Sequence, residues 1–166
     1  VYHDGKMVSM CSENIQRCVM EGGSMVPTGK GKKTFKSQTQ SGMRVDDLYI
    51  PLKTGPKGQY IDWKQIDALR TEPSFPKHIQ AARDMGIRLF VKRAKVGMSK
   101  HVRVRPMFEQ WGLEFTISAW DDELTEAVLK NIYTYAGTYK GLADWRPGSP
   151  TPGSYGMFKL DSLEKL

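Results

Sequence analysis

Ile87–Arg105, IRLFVKRAKVGMSKHVRVR, carries the most regular pattern in the chain. Ile87, Leu89 and Val91 alternate with Arg88, Phe90 and Lys92. Beyond a break at Gly97, Val102 and Val104 alternate with His101, Arg103 and Arg105. Period-two alternation predicts strands with one buried face. The aliphatic face goes to the core, and the other face is a row of cations with one aromatic. The stretch holds seven Lys or Arg and one His, with no acidic residue. Cations match phosphates and rings stack on bases, so this face suits a polyanion with flat bases. The bland alternative is a solvated charged face, or edge lysines that block aggregation.

Other patterns fill in the chain order. Tyr2-His3 and Met7-Val8 flank Asp4-Gly5, which predicts a hairpin over Val1–Met10. Ser12 reads as an N-cap, and Cys11, Ile15, Cys18 and Val19 share a helical face, so a helix is expected over about 12–21, stopped by Gly22-Gly23. Residues 22–42 are polar, Gly-rich and basic, with a short helix within Lys32–Gln40. Leu48–Leu52 is a strand candidate. In 60–86, Ile61, Trp63, Ile66 and Leu69 hint at helical turns that Pro73 and Pro76 interrupt. Over Trp111–Trp120, Leu113, Phe115, Ile117 and Ala119 alternate with polar residues, which predicts a further strand. Asp121-Asp122 then caps a helix whose stripe is Leu124, Val128, Ile132 and Ala136, ending at Gly137 or Gly141. A last strand is expected over Tyr155–Leu160, and DSLEKL as a frayed helix or tail.

The chain of 166 residues is the size of one domain, and its 39% hydrophobic and 26% charged content is that of a folded protein. Net charge is +7 and the pI about 9.4, which directs attention to nucleic acid or an acidic surface. Cys11 and Cys18 on one helix lie roughly 10 Å apart, too far for a disulfide, and no zinc spacing is present. Reduced core thiols and a cytoplasmic setting are the simple reading. No stretch reaches the about 18 apolar residues of a membrane span, and no signal-peptide pattern is visible, so no membrane partner is expected. The chain starts at Val1 with strand-like residues at the terminus itself, which leaves room for a missing upstream strand.

Several catalytic motifs fail on spacing. A phosphate loop ending in Gly29-Lys30 would need Gly at position 24, which is Ser24, and Ser or Thr at position 31, which is Gly31. Asp46-Asp47 and Asp121-Asp122 read as turn and cap chemistry, and no metal-nuclease constellation, nucleophile elbow or dinucleotide fingerprint stands out. No cofactor or metal is expected. Among His3, His78 and His101, only His101 sits amid Lys100, Arg103 and Arg105, where cations favour the neutral, proton-accepting imidazole and meet phosphate charge.

With 22–44 and 53–86 set aside as insertions, the order strand, helix, strand, strand, helix, strand is that of a single α+β domain. It is the ferredoxin-like (split βαβ, RRM-like) antiparallel sheet with helices on one face. GSYGMFKL, residues 153–160, is similar to the Gly-aromatic-Gly-aromatic core of the longer ribonucleoprotein motif of RNA-recognition domains, with Tyr155 and Phe158 as its rings. The Gly-rich stretch from Gly137 to Gly156, between the last helix and a strand, resembles the glycine-rich loop of the RAMP superfamily, the ferredoxin-like RNA-binding proteins of CRISPR effector complexes. GLADWRPGSPTPGSYGMF also resembles the ending of uncharacterised phage and prophage proteins with a Gly-x-x-(Asp/Glu)-Trp-Arg-Pro run, here Gly141, Asp144, Trp145, Arg146 and Pro147. The resemblance implies a single-strand-binding backbone protein able to polymerise, with Gly141, Trp145, Arg146, Gly153 and Gly156 near the nucleic acid.

The leading expectation is therefore a non-enzymatic binder of single-stranded RNA or DNA, acting as a homo-oligomer or in a multi-subunit ribonucleoprotein. Phosphates would be met by Lys30, Lys32, Lys33, Lys36, Arg88, Lys92, Arg93, Arg103, Arg105 and Arg146, and bases by Phe90, Trp145 or Tyr155. A structural or assembly protein of a phage or mobile element is the second reading, its long loops gripping neighbouring subunits. A small metal-independent ribonuclease, with His101 as its base, is the third.

Overall fold

The computed structural model describes residues 2–96 and 98–166; Val1, Gly97 and the side chains of residues 94–96, 101 and 103 lie outside the description. In chain order the elements are β1 (Tyr2–His3), β2 (Val8–Cys11), α1 (Ser12–Gly23), α2 (Lys36–Ser41), β3 (Met43–Val45), β4 (Tyr49–Pro51), β5 (Lys53–Thr54), β6 (Gln59–Tyr60), α3 (Trp63–Asp67), α4 (Phe75–Asp84), β7 (Arg88–Val96), β8 (Ser99–Met107), β9 (Trp111–Gly112), β10 (Ile117–Ala119) and α5 (Glu126–Tyr135), which runs on into one π turn, Ala136–Lys140. This is a mixed α+β chain with small antiparallel sheets. The described strands pair as β1-β2-β4, β10-β3, β6-β5-β9 and β7-β8. The chain divides into two compact units, Val1–Met10 with Tyr49–Glu114 and Cys11–Leu48 with Phe115–Leu166.

In the first unit β1 and β2 make the expected hairpin, Tyr2 opposite Ser9 and His3 opposite Val8. Asp4 closes its loop: one carboxylate oxygen accepts the N–H groups of Lys6 (2.8 Å) and Met7 (2.7 Å). β5 pairs with both β6 and β9. The core gathers Val8, Leu52, Ile61, Ala82 and Ile87, with Trp63, Leu89, Phe108 and Trp111 packed against it. Residues 53–86, expected as an insertion, thus supply buried side chains and two helices. Pro76, expected to interrupt, lies in the first turn of α4, where a missing N–H costs no helical bond.

β7 and β8 run antiparallel through nine residue pairs, from Arg88 opposite Met107 to Val96 opposite Ser99. The expected burial of their aliphatic face holds at the base only. Ile87 is buried and Leu89 half-buried, but Val91, Val102 and Val104 are 48%, 65% and 40% exposed. The reason is reach: Phe75, Ile79 and Ala82 of α4 line one groove with Ile87, Leu89 and Val91, and the two β8 valines are not part of that lining.

In the second unit α1 packs against α2, α5 and the π turn. Cys11, not Ser12, occupies the N-cap position, and Gly22 and Gly23 are the last two residues of the helix, which ends with them as expected. They are needed for proximity: a Cβ on Gly22 would lie 2.8 Å from that of Ala136, and one on Gly23 2.6 Å from Thr39 Oγ1. Ile15, Cys18, Val19, Leu129, Ile132 and Ala136 are buried, and the two cysteines are free. The Cys18 thiol donates to the Gly141 carbonyl at 3.2 Å, and burial pushes it up to about 12.

Three expectations in this unit are corrected. The strand over Trp111–Trp120 is broken into β9 and β10, because β9 pairs with β5 in the first unit and β10 with β3 in the second. Thr125, not Asp121-Asp122, caps α5, its hydroxyl accepting the Val128 N–H at 3.4 Å. The Asp121 carboxylate accepts the Glu123 N–H at 2.9 Å in the turn before it. No strand forms over Tyr155–Leu160, and residues 161–166 run on as a tail, one of the two forms expected there. The tail instead makes single backbone bonds, from Leu142 N–H to Gly156 (2.8 Å), Tyr155 N–H to Trp145 (3.0 Å) and Phe158 N–H to Gly137 (3.3 Å).

These bonds need bare backbone. A Cβ on Gly156, at φ +70, would fall 1.8 Å from the Leu142 carbonyl oxygen, and one on Gly137 2.1 Å from that of Phe158. Gly156→Ala is expected to destabilise the protein by about 3 kcal/mol or more, from overpacking added to the left-handed backbone. Gly29→Ala, at φ +75 in open space, should lose only about 1 kcal/mol. Urea unfolding of both variants checks the difference, and equal losses would mean the tail is not held there.

Candidate nucleic-acid interface

The β7–β8 register decides which of the predicted cations act together. Phe90 stands opposite Arg105, Lys92 opposite Arg103, and Arg88 opposite Met107. Side chains two apart along a strand share a face and repeat every ~6.8 Å. Arg88, Phe90, Lys92 and Arg105 therefore lie on one face, and the register puts position 103 in the same row. Arg93 stands opposite Val102 and belongs to the other face, with Val91 and Val104. Arg88 forms an exposed ion pair with Glu109 at 2.5 Å, the kind that contributes little to stability and yields easily to another anion. The catalytic candidate, His101, and the side chain of Arg103 lie outside the described residues.

Lys30, Lys32, Lys33 and Lys36 form a second group, in the second unit. The first three sit in a turn closed by the Pro27–Thr34 bridge and by the Thr28 N–H to Lys33 carbonyl bond of 2.9 Å; Lys36 opens α2. Glu123 takes the Lys30 ammonium at 2.5 Å and holds it above the usual lysine range, by hydrogen bond first and charge second. Lys32, Lys33 and Lys36 are exposed.

Trp145, Arg146 and Tyr155 make a third group, also in the second unit. The Trp145 and Tyr155 rings lie 6.4 Å apart and within 17° of parallel. Trp145 (φ 58) and Ala143 (φ 62) hold left-handed backbone, strain that marks a turn over-determined by its surroundings. Arg146 is half-buried and turned inward: its guanidinium donates to Glu21 at 3.0 Å and to the Lys140 carbonyl at 3.3 Å. Gly141, Gly153 and Gly156, placed near nucleic acid by the resemblance, spend their missing side chains on contacts within the unit. Cβ atoms there would lie 2.9, 2.2 and 1.8 Å from carbonyl oxygens of Gly156, Trp145 and Leu142.

The remaining chemistry is structural. His3 stacks on Trp63 at 4.0 Å, and His78 hydrogen-bonds the Glu72 carbonyl at 2.7 Å. Asp46 accepts from Ser118 and Arg44. Among the described residues no three His, Cys, Asp or Glu converge as a metal site, and no helix is long and apolar enough to cross a membrane. Sequence reading missed Glu21, whose only signal was its place one helical turn after Arg17. It also missed the groove beside α4, whose signal was the spacing of Phe75, Ile79 and Ala82. No family model matches the chain, no curated protein matches it, and no solved structure matches its fold.

Burial acts first on Glu21 and raises its carboxyl, but hydrogen bonds from Arg146 and Arg17 outweigh it and hold the group below the usual carboxylate range. A carboxylate held low stabilises the fold above its unfolded-state pKa and loses that contribution as pH falls through the folded value. Arg146→Met should therefore cost about 2 kcal/mol at pH 7, and the deficit against wild type should shrink on acidification below the carboxylate range. Chemical denaturation across that range is the check.

Proposed function

We propose that this protein binds single-stranded nucleic acid, RNA in the first place, through the basic face of its β7–β8 hairpin. One observation carries the reading: the ladder register aligns Phe90 and Lys92 of one strand with Arg105 and position 103 of the other. Lys92 and Arg105 would meet phosphates, Arg88 would exchange Glu109 for one, and Phe90 would take a base on its ring. The lysines of 30–36 and the Trp145–Tyr155 pair are separate candidate contacts on the second unit. In this reading the protein acts in the cytoplasm as a RAMP-like backbone subunit that polymerises along a strand. The proposal does not need the ferredoxin-like arrangement expected from element order, since the hairpin carries its cations on a ladder of its own.

The second reading, an assembly protein of a phage or mobile element, is favoured by the exposed valines on the opposite hairpin face. Fluorescence anisotropy with a labelled single strand of about 16 nucleotides, titrated across salt, tests the first. Lys92→Ala with Arg105→Ala should weaken binding to every sequence and flatten the plot of log K against log salt by about 0.7 per lost phosphate contact. An unchanged slope removes this face from the interface. The same mixtures, run on a gel, report whether labelled RNA is cut, the outcome that the His101 reading requires.

A further inference from the structure

We infer that the aliphatic face of the β7–β8 hairpin, with the groove beside α4, is a docking site for an acidic amphipathic helix of another protein. The groove has a volume of about 280 Å³ and is lined mostly by apolar side chains, Phe75, Ile79 and Ala82 from α4 and Ile87, Leu89 and Val91 from the hairpin. Phe75, at its mouth, is 46% exposed. The register continues the apolar surface outward, because Val91 stands opposite Val104 and Arg93 opposite Val102. One helix therefore covers the base of this face, and its outer part is left apolar and exposed at Val91, Val102 and Val104.

Charge selects the occupant. Arg83, at the C-terminal end of α4, lines the groove, and Arg93 stands on the valine face. Both are exposed, and neither makes an ion pair among the described residues. The third arginine at the groove, Arg88, already has Glu109. A partner helix with leucines at i, i+3, i+4 and i+7 would set them into the groove and over the valines, and flanking glutamates would meet Arg83 and Arg93. A second copy of this basic face brings cations against cations and is disfavoured. Arg88 is the one residue common to the groove lining and the basic row. The valines and Arg93 stand on the opposite face of the hairpin from Lys92 and Arg105, and the inference does not rest on the nucleic-acid reading.

The test uses the full chain and a labelled helical peptide of about 16 residues, long enough to hold a helix, with leucines on one stripe and glutamates beside it. Two controls replace the leucines by serines and the glutamates by lysines. Only the first peptide should bind. Val102→Ser with Val104→Ser should weaken it by about tenfold or more, as should Arg83→Glu with Arg93→Glu. These positions are exposed, so the variants should unfold like wild type in urea. Lys92→Ala with Arg105→Ala should leave peptide binding unchanged while weakening RNA, which separates this site from the nucleic-acid face. Equal binding of the serine peptide, or indifference to the valine and arginine variants, overturns the inference. So does light scattering that shows self-association abolished by the valine variant, or anionic vesicles that bind the face and displace the peptide.

Discussion

The second unit depends on backbone meeting backbone where side chains are missing. The tail after Gly141 folds back along the turn that follows the π turn, and it does so because Gly137, Gly153 and Gly156 let carbonyl oxygens come closer than any Cβ would allow. The same device, at Gly22 and Gly23, lets α1 lie against α5 and α2. These contacts explain why Trp145 and Ala143 tolerate left-handed backbone: the tail bonds on either side leave the turn no other path. They also change what a glycine-rich segment means here. Its glycines are occupied by the chain itself, and Arg146 is occupied by Glu21. Of the features that drew attention to that segment, the Trp145–Tyr155 pair is the one with area left to offer a base: Trp145 is half-buried and Tyr155 exposed.

The hairpin is built on the opposite principle. Its ladder is long, but beyond Val91 the described residues on both of its faces meet solvent. Two strands alone are marginal in water, and cross-strand pairs contribute only tenths of a kcal/mol to about 1 kcal/mol each. What anchors the ribbon is its base, where Ile87 enters the core with Ala82, Leu52 and Val8. A ribbon of this kind is costly in stability, and the two proposed binding faces would give a reason to keep it.

How much of this was legible in the sequence differs by element. The hairpin at residues 87–105 was read from period two, and so was the grouping of Phe90, Lys92 and Arg105, because alternation and register are both set by the pleat. The face of Arg93 was already implied by parity. Burial was not, since alternation says that two faces differ but not whether anything covers the apolar one. The helix spacing of Phe75, Ile79 and Ala82 went unread: Pro73 and Pro76 punctuate the segment, yet proline is harmless in a first turn. The break between β9 and β10 was hidden for a deeper reason. Leu113, Phe115 and Ile117 keep perfect alternation, yet their partners belong to different units, and long-range pairing leaves no mark on local pattern. Gly22-Gly23 was legible only in part: the pair reads rightly as the helix end, and as a helix–helix contact only once Ala136 and Thr39 are brought beside it.

The two faces of the hairpin also constrain one another. They share one ladder, so on the proposed readings a ligand that braces the ribbon on one face also braces it for a ligand on the other. Such coupling is reciprocal: a helix that tightens nucleic-acid binding must itself be held more tightly in the presence of nucleic acid, by the same factor. On those readings charge acts the other way, because glutamates over Arg83 and Arg93 lower the positive potential that phosphates meet at Lys92 and Arg105 on the other face. A two-stranded ribbon with a bare apolar back is marginal by itself, and on the proposed readings it serves as a joint between a polyanion and a protein.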